Sequence, residues 1–295
     1  MKRFIIAAFL IAPLATLATL APSLLAQWAP YSTPRVPRLP NGQPNLEGPA
    51  PRTPDGKPDL SGIWQIVRAP ADQQTPASFL GGGPTADATP TPPPPPKASL
   101  DEIAPASFRD SGSGFKDGLP LRPWAADLVK NRMAENSKDN PDAHCLPMGL
   151  MQFHNHPEPR KIVQTPGLLV IIYEANFGLR QIFTDGRPLP NDSPQPWWYG
   201  YSVGKWEGDT LIVETTGFIE DSWLDINGNP LTEAAKVTER FRRTNYGNLE
   251  IDVTVDDTKA YTRPWTVKVK QSLMLDTELI EFICLDRDAQ HYIGK

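Results

Sequence analysis

Of the 34 prolines in this 295-residue chain, 32 lie before Trp197 and only Pro230 and Pro264 lie after it. Proline cannot donate to a strand ladder and breaks a helix interior, so regular pairing must belong mainly to the second part. There the hydrophobic period becomes two from Lys161 onward. Turn sequences punctuate it at Pro166-Gly167, Asp185-Gly186, Glu207-Gly208-Asp209, Asn227-Gly228, Tyr246-Gly247-Asn248 and Asp276-Thr277. The strands this predicts are 161–165, 168–174, 178–184, 200–206, 209–216, 236–243, 248–256, 265–275 and 278–284, with a further one at 62–67. Trp265, Val267, Val269, Leu273 and Leu275 alternate with Thr266, Lys268, Lys270 and Ser272, the pattern of a strand with one wet face. Neighbours joined by short turns favour an all-β fold, an antiparallel meander closing into an up-and-down barrel, with a β-sandwich as the alternative. One short amphipathic helix is predicted from Arg122-Pro123-Trp124 to Asn136, with Trp124, Leu128 and Met133 on one face.

The first part is organised differently. Lys2 and Arg3 precede an apolar run from Phe4 to about Leu20, and Leu24-Leu25-Ala26 follows, so residues 1–26 read as a cleaved signal peptide rather than a membrane span. Residues 27–58 form a proline-rich arm holding a near-repeat, Arg38-Leu-Pro-Asn-Gly-Gln-Pro-Asn-Leu-Glu-Gly48 and then Arg52-Thr-Pro-Asp-Gly-Lys-Pro-Asp-Leu-Ser-Gly62. Pro-Asn-Gly and Pro-Asp-Gly are turn sequences, so each copy should turn and then start an extended segment. Residues 59–295 make one β-rich domain, interrupted at about 80–97 by a Gly- and Pro-rich insertion of disordered or polyproline character.

Composition excludes some functions. The net charge of −5, with no Lys/Arg cluster, offers no footprint for nucleic acid. No transmembrane segment is expected after signal cleavage, so the mature chain is expected in the periplasm or the medium. In an oxidising compartment Cys145 and Cys284 would form one disulfide, closing a loop of roughly 140 residues and contributing about 3 to 5 kcal/mol.

Several motifs carry a resemblance: Asp55-Gly-Lys-Pro-Asp-Leu-Ser-Gly-Ile-Trp64, Phe183-Thr-Asp-Gly-Arg187, Gly200-Tyr-Ser-Val-Gly-Lys-Trp-Glu-Gly-Asp-Thr-Leu211, Glu239-Arg-Phe-Arg-Arg243 and Tyr261-Thr-Arg-Pro-Trp265. Over about Asp55 to Cys284 the chain resembles a secreted family of uncharacterised proteins of acidobacteria and proteobacteria. The resemblance implies export but no activity. Relatives commonly carry His at the position of Tyr201 and another near Leu231-Thr232, where this chain departs from the pattern. Gly62-Ile-Trp64 is also similar to the Gly-x-Trp start of lipocalin-like barrels, which implies a Trp packed under the barrel floor.

Candidate chemistry is of three kinds. Gly200-Tyr-Ser-Val-Gly204 matches a nucleophile elbow in letters, but a strand follows Ser202 where a helix is needed. His144, His154 and His156 lie near Cys145, and His-x-His on an extended segment could face one metal ion, although no carboxylate at fixed spacing completes a motif; a structural loop is the better reading and no cofactor is expected. The interior carboxylates form the third kind. Val237, Glu239 and Phe241 share a face, so Glu239 points inward, while Arg240 and Arg242 face out toward Glu250 and Asp252. The same alternation brings Glu174 after Val170 and Ile172, and Glu214 beside Ile212, with Tyr173, Arg180 and Arg187 as partners. Such a cluster would lock the barrel, recognise a ligand or serve acid–base catalysis. Trp197, Trp198, Tyr199, Tyr201 and Trp223 gather in loops near strand ends, where rings cap a core or line a ligand mouth.

The leading functional expectation is an exported barrel that binds a small, partly apolar molecule, with Arg180, Arg187, Trp197, Trp198, Tyr201, Trp223 and Glu239 as ligand-binding candidates. The alternatives are a cofactor-free hydrolase, lyase or isomerase using Glu239, Glu174, Glu214 and Tyr173, a metal hydrolase using His154 and His156, and an envelope scaffold whose proline-rich arm meets a protein partner.

Overall fold

The computed structural model describes residues 32–67, 96–190, 195–220 and 222–282. Residues 1–26, expected to be a signal peptide, the core of the Gly/Pro-rich insertion and Cys284 lie outside the described residues. Among the described residues twelve strands are present: β1 (Gly62–Ile66), β2 (Ala104–Pro105), β3 (Arg160–Thr165), β4 (Leu168–Tyr173), β5 (Leu179–Phe183), β6 (Tyr201–Glu207), β7 (Thr210–Thr216), β8 (Ser222–Trp223), β9 (Pro230–Leu231), β10 (Lys236–Arg243), β11 (Asn248–Asp256) and β12 (Trp265–Met274). The helices are α1 (Pro123–Ala134) and α2 (Leu150–Asn155).

Nine strands run in the order β1-β3-β4-β5-β6-β7-β10-β11-β12, and β12 returns to β1 through Ile63↔Met274 to Ile66↔Gln271, so the sheet closes into a barrel rather than two packed layers. β2 pairs in parallel with β12 at Val267 and Lys268, beyond the end of β1 on the same edge. Closure of an odd number of strands cannot alternate direction all the way round. The ring must contain a parallel joint, and it is β5–β6, paired at Ile182↔Ser202 and Phe183↔Val203. The long connection after β5 provides the return path that a hairpin would not.

The alternation seen in the sequence fixes which face is inside. On β11 Leu249, Ile251, Val253 and Val255 are at most 1% exposed, and on β12 Trp265, Val267 and Val269 face them. Charges line the outside: Arg242 bonds Glu250 at 2.7 Å, but Lys268 takes Asp252 at 2.9 Å, and Arg240 leans instead toward Glu207 at 3.9 Å. Residues 278–282 form no strand; Lys161 of β3 donates to Glu278 at 2.8 Å and Ile280 N donates to Glu174, just past β4, at 3.0 Å.

Both copies of the repeat make the same turn. Gly42 and Gly56 have φ near +80°, and Arg38 and Arg52 each donate to the carbonyl of their own glycine at 2.8 and 2.7 Å. The arm straps strand connections at one end of the barrel. Thr33 bonds Asp276, Leu46 and Gly48 accept from Gly247 and Tyr246, and Arg52 clamps Asp209 with two bonds of 2.9 and 2.7 Å. There Trp64 is fully buried, its indole N–H donating to Leu60 O at 2.9 Å and its ring lying 4.9 Å beneath the Arg243 guanidinium.

α1 does not bury the face expected of it. Ala125 is its buried residue, while Trp124 and Met133 are 46% and 49% exposed. Polar anchors hold it instead: Arg122 N and Trp124 Nε1 donate to Ala260 O and Lys259 O at 2.8 and 2.9 Å, and Arg132 donates to Gly228 O and stacks 4.2 Å over Trp223. α2 behaves oppositely, with all six residues buried.

Candidate functional site

α2 carries His154 into the barrel. Its N-terminal neighbour Gly149 lies so close to the β8–β9 ribbon that a Cβ there would sit 1.6 Å from Trp223 O. At the other end Arg160 of β3, itself 1% exposed, donates to the carbonyls of His154 and His156 at 2.7 and 3.4 Å, a cation placed where helix carbonyls lack partners. Phe153 packs 4.4 Å from Tyr173 and 5.1 Å from Tyr199.

Held this way, His154 Nε2 meets Glu239 Oε1 at 2.6 Å, both side chains being fully buried. Arg180 of β5 completes the group: Nη1 donates to Glu239 Oε1 at 2.9 Å, Nη2 to Glu239 Oε2 and to Thr215 at 3.0 Å, and Nε to Ser202 at 3.2 Å. Each guanidinium nitrogen therefore has an acceptor. Burial opposes ionisation of Glu239, but the Arg180 charge and the bonds from His154 and Arg180 outweigh it and hold the carboxyl at about 2. Burial pushes the His154 pKa down, which leaves the imidazole neutral with its proton on Nε2 toward Glu239 and Nδ1 without a partner. Burial likewise lowers Arg160 to about 10 and raises Tyr173, whose hydroxyl lies near the Arg180 and Arg160 charges. A buried Arg–Glu pair, flanked by a neutral His and two hydroxyls, cross-braces β5, β6, β7, β10 and α2.

A cleft of about 250 Å³ lies over the parallel joint, on the outer face of the barrel wall. Phe183, Trp197, Trp198, Tyr199 and Tyr201 line it, while Arg180 and Ser202, which also border it, turn their side chains through the wall into the buried cluster. The aromatic residues are ordered: Phe183 and Tyr201 stack at 5.3 Å, Trp197 meets Tyr201 edge-on at 6.4 Å, and Arg187 covers Phe183 at 3.9 Å. Gly200 shapes the loop, with φ +66° and a position where a Cβ would lie 2.5 Å from Thr215 Cγ2. Trp197 is 51% exposed, an aromatic surface offered to solvent rather than a core cap.

Other candidates fall elsewhere. Glu214 points outward to Lys236 and Glu174 lies outside the barrel wall, because the buried phases are Leu211-Val213-Thr215 on β7 and Leu169-Ile171-Tyr173 on β4. Both strands carry apolar residues on both faces, so the sequence pattern placed them one residue out of phase. Arg187 is outside too, bonded to Asp185 and, at 3.2 Å, to the Tyr201 hydroxyl. Trp223 is buried under Arg132 and does not line the aromatic cleft. Ser202 lies within β6 as a partner of Arg180, not on a nucleophile elbow. The histidines diverge, since residues 154–156 are not extended as expected but span the end of a helix: His154 turns inward, His156 pairs with Glu158 and His144 contacts Lys138 O at 2.9 Å. Among the described residues no three His, Cys, Asp or Glu side chains form a group that could hold a metal ion, and no helix is long and apolar enough to cross a membrane.

The sequence reading missed α2 and the His154–Glu239 contact. A six-residue helix shows too little periodicity to declare itself, and its fully apolar and amide surroundings carry no motif. In comparisons with family models, with curated proteins and with solved structures, nothing matches this chain.

Proposed function

We propose that this chain is an exported binding protein whose barrel presents the aromatic cleft at the β5–β6 joint to a small, partly apolar molecule. The observation that carries this reading is the gathering of five aromatic side chains over the one joint of the ring that is parallel, with Trp197 half exposed. The volume of about 250 Å³ suits one ring-sized group rather than a long chain. The Arg180–Glu239–His154 cluster braces the wall behind the cleft from the barrel interior. Turnover through Glu239 would require a substrate to reach a carboxylate with zero exposure and every Arg180 nitrogen already engaged, which speaks against the acid–base alternative. Export to the periplasm or medium, membership of the secreted family and the Cys145–Cys284 bridge belong to the same proposal.

Native mass spectrometry of residues 27–295 purified from an oxidising compartment tests it. A small-molecule adduct should survive chelator and be lost from Trp197→Ala/Tyr201→Ala. An adduct unchanged in that double variant, or one removed by chelator, would overturn the cleft assignment. Two thiols titrating in the denatured, unreduced protein would exclude the bridge.

A further inference from the structure

A second cleft, of about 400 Å³, lies between α1 and the β8–β9 ribbon and shares no residue with the aromatic one. Its size falls within the roughly 300–1,000 Å³ typical of small-molecule sites. Its floor is rigid. Leu231 is 1% exposed, the Tyr261 hydroxyl donates to Pro230 O at 2.7 Å, and Thr232 gives both its N–H and its hydroxyl to buried Asp257 at 2.7 and 2.9 Å. Its wall is Trp124, whose indole N–H is tied to Lys259 O at 2.9 Å, so the exposed ring is held in place rather than free to fold away. This accounts for a helix that turns a tryptophan toward solvent.

The charges on the rim are unevenly matched. Glu233 pairs with Lys259. Arg122 and Glu220 line the same cleft; Arg122 gives its Nε to Thr258 O at 2.8 Å and among the described residues no carboxylate meets its Nη groups, while Glu220 shares the charge of Lys259 with Glu233, two carboxylates to one ammonium. An apolar floor and wall between one cation without a counter-ion and a pair of carboxylates sharing one lysine fits a ligand carrying both charges on an apolar body. Neutral sugars lack those charges, and phosphate esters would meet Glu220 with the wrong sign.

We infer that this cleft binds zwitterionic amino acids or short peptides with apolar side chains, the carboxylate on Arg122 and the ammonium on Glu220. The inference is independent of the aromatic cleft. The probes are L-leucine and L-leucyl-L-leucine, each free, N-acetylated and amidated, titrated into the full mature chain while the Trp124 indole proton is followed by NMR. At least one free form should shift it saturably, with capping of either terminus weakening binding about fivefold, the scale of an exposed charge pair. Arg122→Gln should abolish only the preference for a free carboxylate and Glu220→Gln only that for a free ammonium, while Trp197→Ala leaves both intact. The proposal is overturned if neither free form binds saturably, if capped and free forms bind alike, or if the two rim variants lose the same preference.

Discussion

Replacing Glu239 by Gln should destabilise the barrel far more than it changes any surface property. The carboxylate has zero exposure and accepts from both Nη atoms of Arg180 and from His154 Nε2. The amide keeps the shape but removes the charge, leaving the Arg180 guanidinium buried without a counter-ion; removal of one partner of such a pair costs about 3–5 kcal/mol. The pH dependence gives a second measure. The Glu239 carboxyl is held at about 2 in the fold against 4.5 when unperturbed. A depressed carboxyl contributes stability that is fully present above pH 4.5 and is lost as pH falls toward 2, by about 3 kcal/mol in all. Urea unfolding of the oxidised chain, followed by tryptophan fluorescence at pH 7, 5, 4 and 3, should therefore show a wild-type advantage of about 3 kcal/mol or more that narrows below pH 4.5. A variant within about 1 kcal/mol of wild type at pH 7, or a gap that stays constant down to pH 3, would refute the reading of Glu239 as an ionised brace.

Three further perturbations separate core from surface. Gly149→Ala must drive a methyl into Trp223 O, 1.6 Å from its Cβ position, so α2 should be displaced and hydrogen exchange of residues 150–155 should rise sharply. Gly200→Ala meets both a φ of +66° and the Thr215 methyl at 2.5 Å; near-UV circular dichroism of the aromatic loop should change, and an unchanged spectrum would mean the loop does not depend on that backbone. Asp209→Asn breaks a pair whose side chains are 52% and 61% exposed, so the melting temperature at physiological salt should not move measurably, as solvent-screened pairs contribute little.

The sheet was largely legible because β10, β11 and β12 alternate cleanly and turn residues mark strand ends; β10 and β11 have the bounds the pattern predicted. Glu239 could be placed because Arg240 and Arg242 make the outer face of β10 unmistakable. Glu174 and Glu214 could not, since Leu168 to Ile172 and Leu211 to Val213 are apolar on both faces and the phase is set only by register with neighbours. Arg187 follows a Gly turn, where strand alternation no longer applies. The contact of His154 with Glu239 spans 85 residues of sequence and depends on a buried helix wedged by Gly149 and Arg160, none of which leaves a local periodic signal.

The seam between β1 and β12 sets the order in which this molecule can assemble. Ile63 finds Met274 only after some 200 intervening residues exist, and Thr33 of the arm must wait for Asp276. Until the final strand has emerged, the first has a free edge and the strap has nothing at that point to tie. Long-range pairing of this kind is slow to nucleate, so a chain made from its N-terminus remains without its native ring until β12 has been made. That interval of enforced looseness is the state in which a polypeptide can be threaded through a narrow passage before it folds.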